Sequence, residues 1–175
     1  VFFQMQEAGN ARQAGFPAEV RRAMEQVAAV TGRPTGLFSY QGAADAEDVV
    51  VAMGSGGTAA GLAVGFERAG LRTRVIGVAV SPPVPVLTVM ARRVAKKTAE
   101  LVGLSRAASH SAVRRIDVDK RWVGRGYGYS TTEGEQALRE ADALGLTLDA
   151  TYTAKAFACA LALAHKERHQ TILFW

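Results

Sequence analysis

An apolar stretch, Val49, Val50, Val51, Ala52 and Met53, passes directly into Gly54, Ser55, Gly56, Gly57 and Thr58, and then into the helix-compatible residues Ala59, Ala60, Gly61 and Leu62. A glycine turn of this kind, leading from a strand into a helix, aims several backbone N–H groups and the positive end of a helix dipole at one point. That arrangement holds a phosphate without a basic side chain. The chemistry served by this spacing is retention of a phosphorylated cofactor.

Several ligands share such a turn. Gly54 to Ala59 satisfies the loose dinucleotide pattern G-x-G-x-x-A, which also calls for an acidic residue about 20 positions on to bind the ribose hydroxyls. No Asp or Glu occurs from Arg68 to Ala99, which counts against a dinucleotide. An NADP-type site using Arg72 or Arg74 stays open as an alternative. A Walker loop is excluded, because no Lys-Ser or Lys-Thr follows the glycines at the required spacing. A turn that binds nothing needs only one or two glycines, whereas here small and hydroxylated residues follow one another without a break.

Other chemistry-bearing residues are sparse. Cys159 is the single cysteine, lies in an alanine-rich helical run, and reads as a small buried hydrophobe. His110, His165 and His169 show no metal-ligand spacing with carboxylates or thiolates, so no metal is expected. The net charge of +5 draws on Arg92, Arg93, Lys96, Lys97, Arg114, Arg115, Lys120, Arg121 and Arg125. No base-stacking aromatic motif or helix-turn-helix pattern accompanies them, so they read as a solvated surface and no nucleic-acid partner is expected. No apolar run approaches the roughly 20 residues that span a bilayer, and residues 1–7 lack the features of a signal peptide. The expectation is a cytoplasmic protein with no membrane partner.

The elements that position the turn follow from periodicity. With 175 residues, 49% hydrophobic and 21% charged, the chain reads as one globular domain. Residues 17–31 predict an amphipathic helix, ended by Gly32 and Pro34. Asp48 to Met53 predicts a strand buried on both faces, Thr58 to Ala69 a helix, and Arg74 to Val80 a second strand. A helix carrying Val86, Leu87, Met90, Val94 and Leu101 comes next, then a short strand over 113–118. Thr131 to Leu144 predicts a helix with Thr132 as cap and Glu135 three residues on. Thr153 to His169 predicts another, and Thr171 to Trp175 a final strand. Alternating strands and helices imply an α/β fold, a three-layer sandwich around a mostly parallel sheet.

At this point the residues carry a family likeness. The run from Gly54 to Val80 resembles the phosphate loop, helix and next strand of the fold-type II pyridoxal-phosphate enzymes, whose large cofactor domain is of the tryptophan synthase β type. Gly124-Arg125-Gly126-Tyr127-Gly128-Tyr129, followed by Glu133-Gly134, is similar to the GxGYG segment of the D-cysteine desulfhydrase and 1-aminocyclopropane-1-carboxylate deaminase family. Leu148-Asp149-Ala150-Thr151-Tyr152-Thr153-Ala154-Lys155-Ala156 is similar to that family's LDPVYTGKA segment. Residues 172–175 resemble the strand leading into its histidine-threonine-glycine-glycine loop. The likeness covers residues 46–175.

The resemblance implies pyridoxal 5'-phosphate as cofactor, held through its phosphate by Gly54, Ser55, Gly56, Gly57 and Thr58. It implies catalytic roles beside a small amino-acid substrate for Tyr127 and Tyr152, each a proton donor or nucleophile if a nearby cation lowers its pKa. Thr153 falls where the family's deaminases place a residue near the pyridine nitrogen. Lys155 matches a motif lysine that does not carry the cofactor. The implied activity is that of a lyase or hydrolase, a desulfhydrase or deaminase, homodimeric in the full-length protein. Departures are plain: the Schiff-base lysine and the serine-asparagine loop for the substrate carboxylate are not recognisable, and Ala150 and Ala154 replace proline and glycine. The expectation is therefore an incomplete large domain spanning 1–175, inactive alone. Alternatives are a dehydratase or cysteine synthase of the same fold, an NAD(P)-binding Rossmann domain, and a noncatalytic phosphate- or partner-binding domain.

Overall fold

The computed structural model describes residues 46–166 and 171–175; the predicted helix over 17–31 lies outside them. The described chain runs β1 (Asp48–Met53), α1 (Gly57–Arg68), β2 (Arg74–Ala79), α2 (Val84–Leu101), α3 (Arg106–Arg114), β3 (Ile116–Asp119), α4 (Thr132–Ala143), α5 (Thr153–Lys166) and β4 (Ile172–Phe174). The four strands form one parallel sheet in the order β3-β2-β1-β4.

Central position explains the composition of β1. It pairs with β2 from Asp48 opposite Arg74 to Met53 opposite Ala79, and with β4 from Asp48 opposite Ile172 to Val50 opposite Phe174. Val49, Val50, Val51 and Met53 are all buried, so both faces of the strand are covered and an unbroken apolar run is what the position requires. Each fully buried valine contributes about 1.5–3 kcal/mol by leaving water.

Two helical layers cover the faces. On one, Ala156, Cys159 and Ala160 of α5 pack with Val50, Ile76, Val78 and Ile172. Behind them, Ala137 and Ala141 of α4 meet Phe157 and Ala158. Strand residues of the other parity, such as Val49, Val51 and Val75, point to the opposite face. There α1 packs on the strands and on α2 and α3. The buried stripe of α2 is Leu87, Ala91, Ala95 and Ala99, one residue per turn, and small enough to bring the helix close.

Where sequence reading and structure differ, the reasons are local. The strand expected over 113–118 is displaced, because residues up to Arg114 belong to α3 and β3 begins only at Ile116. The buried residues of α3 are just Ser109 and Ala112, too small to mark a helical stripe. The cap of α4 is Thr131, whose Oγ1 accepts a hydrogen bond from the Gly134 amide at 3.0 Å, one residue earlier than expected. Glu135 instead accepts from the Ser130 hydroxyl at 2.7 Å.

Ion pairs tie the sheet at the N-terminal ends of its strands. The buried Asp48 carboxylate accepts two bonds from the Arg74 guanidinium, at 2.7 and 2.8 Å. Glu67 accepts from Ser111 at 2.7 Å and from Nε and Nη2 of Arg115 at 2.9 and 2.7 Å. The Ser111 hydroxyl first, and then Arg115, hold the Glu67 carboxyl below its ordinary pKa.

Candidate functional site

The glycine turn sits at the C-terminal end of β1, between the central strand and α1. Gly56 caps α1 in the left-handed region, at φ 83° and ψ 5°, and offers no side chain to the helix. A Cβ at this position would stand 2.4 Å from the Ala91 Cβ, so glycine is required both by conformation and by the closeness of α2. The first turn of α1 holds no acidic residue, and no side chain caps it. Its leading amides therefore lack acceptors within the helix, and Ser55, Gly57 and Thr58 are exposed beside them. Uncapped donors, two hydroxyls and a dipole of the right sign form a fitting receptor for a phosphate dianion.

The two predicted tyrosines converge on this turn. A Cβ at Gly54 would lie 3.3 Å from Cε1 of Tyr152 and 3.7 Å from its hydroxyl, so the ring rests against the start of the turn. The Tyr127 ring meets that of Tyr152 edge to face, with centroids 5.6 Å apart and planes at 78°. Residues distant in sequence thus reach one place. Tyr127 is 59% exposed, open to a ligand above the turn.

The electrostatics of the pair depart from expectation. Hydrogen bonding with Tyr127, with burial second, raises the Tyr152 pKa above that of an ordinary phenol. No cation contributes to this shift, and the Arg125 guanidinium lies over the Tyr129 ring, 4.4 Å from its centroid. Tyr152 is thus held as a neutral O–H, which disfavours attack as a phenolate.

Asp149 positions Tyr152, a role that the sequence reading missed. Its Oδ1 accepts from the amides of Thr151 at 2.9 Å and Tyr152 at 2.7 Å. Its Oδ2 accepts from the Thr153 amide at 3.1 Å and hydroxyl at 2.7 Å. Burial pushes the Asp149 pKa upward, but the Thr153 hydroxyl and the three amides outweigh it and leave the carboxyl below its ordinary value. An aspartate just ahead of an apolar helix was the available signal. Thr153 is occupied in the same network, for its Oγ1 donates to Asp149 Oδ2 and accepts from the Asp149 amide at 2.7 Å. To serve a pyridine nitrogen its proton must first leave that carboxylate.

Lys155, one turn into the same helix region, is fully buried. Its ammonium donates to the carbonyls of Val123 at 2.9 Å and Gly126 at 3.0 Å, so it faces the loop that carries Tyr127. Cys159 is also buried, and burial first, then Asp119, pushes its thiol pKa up to about 12. No cluster of three metal-ligating side chains occurs among the described residues.

A parallel α/β domain with an uncapped helix N-terminus at its central strand, and two phenols beside it, is the architecture of a phospho-cofactor domain. Comparison with known proteins makes this specific. The sequence model described as "Pyridoxal-phosphate dependent enzyme" matches residues 20–175, and the chain belongs to that family. Its cofactor is therefore pyridoxal phosphate, which the turn fits. The D-cysteine desulfhydrase of Klebsiella pneumoniae (strain 342) is 37% identical over 123 residues, covering 67% of this chain and 34% of that protein. A crystal structure described as an ACC deaminase homologue superposes with a TM-score of 0.62 at 31% identity, covering 87% of this chain and 42% of the other. A pyruvate-flavodoxin oxidoreductase of Klebsiella pneumoniae is also similar, 51% identical over 55 residues, which amount to 31% of this chain and 5% of that enzyme. The chain spans about a third of the desulfhydrase's length and about one twentieth of the oxidoreductase's.

Proposed function

We propose that this chain supplies the phosphate-binding half of the active site of a pyridoxal-phosphate-dependent lyase or deaminase that acts on a small amino acid, of the D-cysteine desulfhydrase or 1-aminocyclopropane-1-carboxylate deaminase type. The observation that carries this reading is the seating of Tyr152 against Gly54 with Tyr127 edge-on beside it, since this joins both tyrosine segments to the phosphate turn. The similarity to a desulfhydrase and to a deaminase homologue supports the same choice. The oxidoreductase match involves too small a share of that enzyme to carry its activity over.

The cofactor, when bound, supplies an electron sink for the substrate's α-carbon. The protein's part is positional and protonic. The amides of the first turn of α1 and the hydroxyls of Ser55 and Thr58 bind the phosphate and fix the ring's distance from the tyrosines. Tyr152, kept neutral, holds a proton at its Oη for delivery to the substrate, and Tyr127 orients that hydroxyl while facing the opening. Sulfide release would make the enzyme a lyase, and ring opening with ammonia release a hydrolase. We further propose a cytoplasmic homodimer on the strength of the family resemblance; no helix among the described residues is long and apolar enough to cross a membrane.

The test is a titration of the chain with pyridoxal 5'-phosphate and with inorganic phosphate, followed through the amide resonances of residues 54–58. Saturable shifts there, weakened by Thr58→Val, are expected. Shifts confined to other residues, or none at all, would overturn the assignment of the turn. Sequencing the gene upstream of Val1 addresses turnover: an open frame encoding a lysine-bearing segment supports the enzyme, and an in-frame start codon at this point with none upstream counts against it.

A further inference from the structure

The loop from Val123 to Tyr129 is two consecutive turns. The Val123 carbonyl accepts from the Gly126 amide at 3.1 Å, and the Gly126 carbonyl accepts from the Tyr129 amide at 3.4 Å. Gly124, Gly126 and Gly128 all have positive φ, at 58°, 114° and 79°. A segment with that many permissive residues has many alternative conformations and little of its own to choose among them. Both turns nevertheless begin at a carbonyl that also accepts from the Lys155 ammonium, at 2.9 and 3.0 Å. The lysine is fully buried, and its partners in these bonds are backbone oxygens rather than a carboxylate. Tyr127 follows Gly126 directly and reaches the Tyr152 ring, three residues before Lys155.

We infer that Lys155 is a positioning residue, whose buried ammonium locks the two turns of the Val123–Tyr129 loop and thereby places the Tyr127 phenol against Tyr152 above the phosphate turn. This rests on the functional reading only for the purpose of the placement; the lock itself is independent of the cofactor. One group reaches two carbonyls three residues apart because a lysine presents three donors at the end of a flexible stem. Bonds from a charged donor are stronger than neutral ones, and the one to Gly126 is buried. The helix that begins directly after Tyr152 then also fixes its partner, so the two phenols move as one unit.

The experiment uses the 175-residue chain without cofactor. Lys155→Met keeps the length and apolar stem but removes the donors. Expected are loss of the ring-current shift between Tyr127 and Tyr152, and amide exchange at residues 124–129 faster by at least about tenfold, with β1 and α1 unchanged. Lys155→Arg, which restores a cation, is expected to recover part of both signals. Unchanged ring shifts and exchange in a folded Lys155→Met protein would overturn the inference. If that variant does not fold, the unmutated chain decides: a slowly exchanging Lys155 ammonium with scalar couplings to the Val123 and Gly126 carbonyl carbons supports the lock, and its absence overturns it. Failure of phosphate to shift residues 54–58 would instead defeat the functional reading and leave these measurements untouched.

Discussion

Gly54 and Tyr152 are in contact across the site, close enough that an added Cβ on the glycine would lie 3.3 Å from the tyrosine ring. The glycine turn and the Tyr152 ring are therefore set by one van der Waals boundary. Gly54→Ala is expected to push the ring by a few tenths of an ångström at a cost to stability of about 1 kcal/mol. A changed ring-current shift of Tyr152, with the fold retained, would check this; an unmoved ring would refute it.

Gly56 is under a harsher constraint. Gly56→Ala combines a left-handed backbone with a Cβ 2.4 Å from that of Ala91. The expected loss is about 2–4 kcal/mol, from backbone strain and overpacking together. Urea denaturation of the variant measures it. Gly57→Ala is the matched control, since its nearest neighbour would be the Ser55 hydroxyl at 3.9 Å, and its stability should be nearly unchanged.

Asp149 ties pH to the placement of Tyr152. Its carboxyl is held below the ordinary value of 3.8 in the folded chain, so its contribution is fully present above that value and is lost as pH falls through the lower folded one. Asp149→Ala should cost about 1 kcal/mol at neutral pH, as the loss of a helix cap does. The difference between variant and parent should shrink on acidification below pH 3.8, and a difference constant with pH would contradict the assignment.

Cys159 should be chemically silent. Burial, with the neighbouring Asp119, pushes its thiol up to about 12, and the nucleophilic thiolate is scarce at neutral pH. Iodoacetamide at pH 8 should leave the folded chain unmodified and alkylate it in urea. Prompt labelling without denaturant would show that the α5 layer opens readily.

Much of this was legible in the sequence where the signal is local. The β1 run announced a strand covered on both faces, and the glycines after it announced a tight turn into a helix, because both are properties of adjacent residues. The roles of Lys155 and Asp149 were not. The Lys155 partners lie 29 and 32 positions away, and only chain closure brings them together. The Asp149 network is local, yet the family motif drew attention to the tyrosine and away from the carboxylate that orients it. Helix α3 went unseen because its inward residues are a serine and an alanine, which carry no hydrophobic period. The condition set for an activated phenol, a nearby cation lowering its pKa, is not met at Tyr152, where hydrogen bonding with Tyr127 raises it.

The parallel sheet sorts two kinds of contact along a single axis. The pair of buried Asp48 with exposed Arg74 and the Glu67–Arg115 pair belong to the end where strands begin, and the glycine turn and both phenols belong to the end where they finish. Substitutions at the second rim would leave the contacts that hold the strands in register at the first untouched.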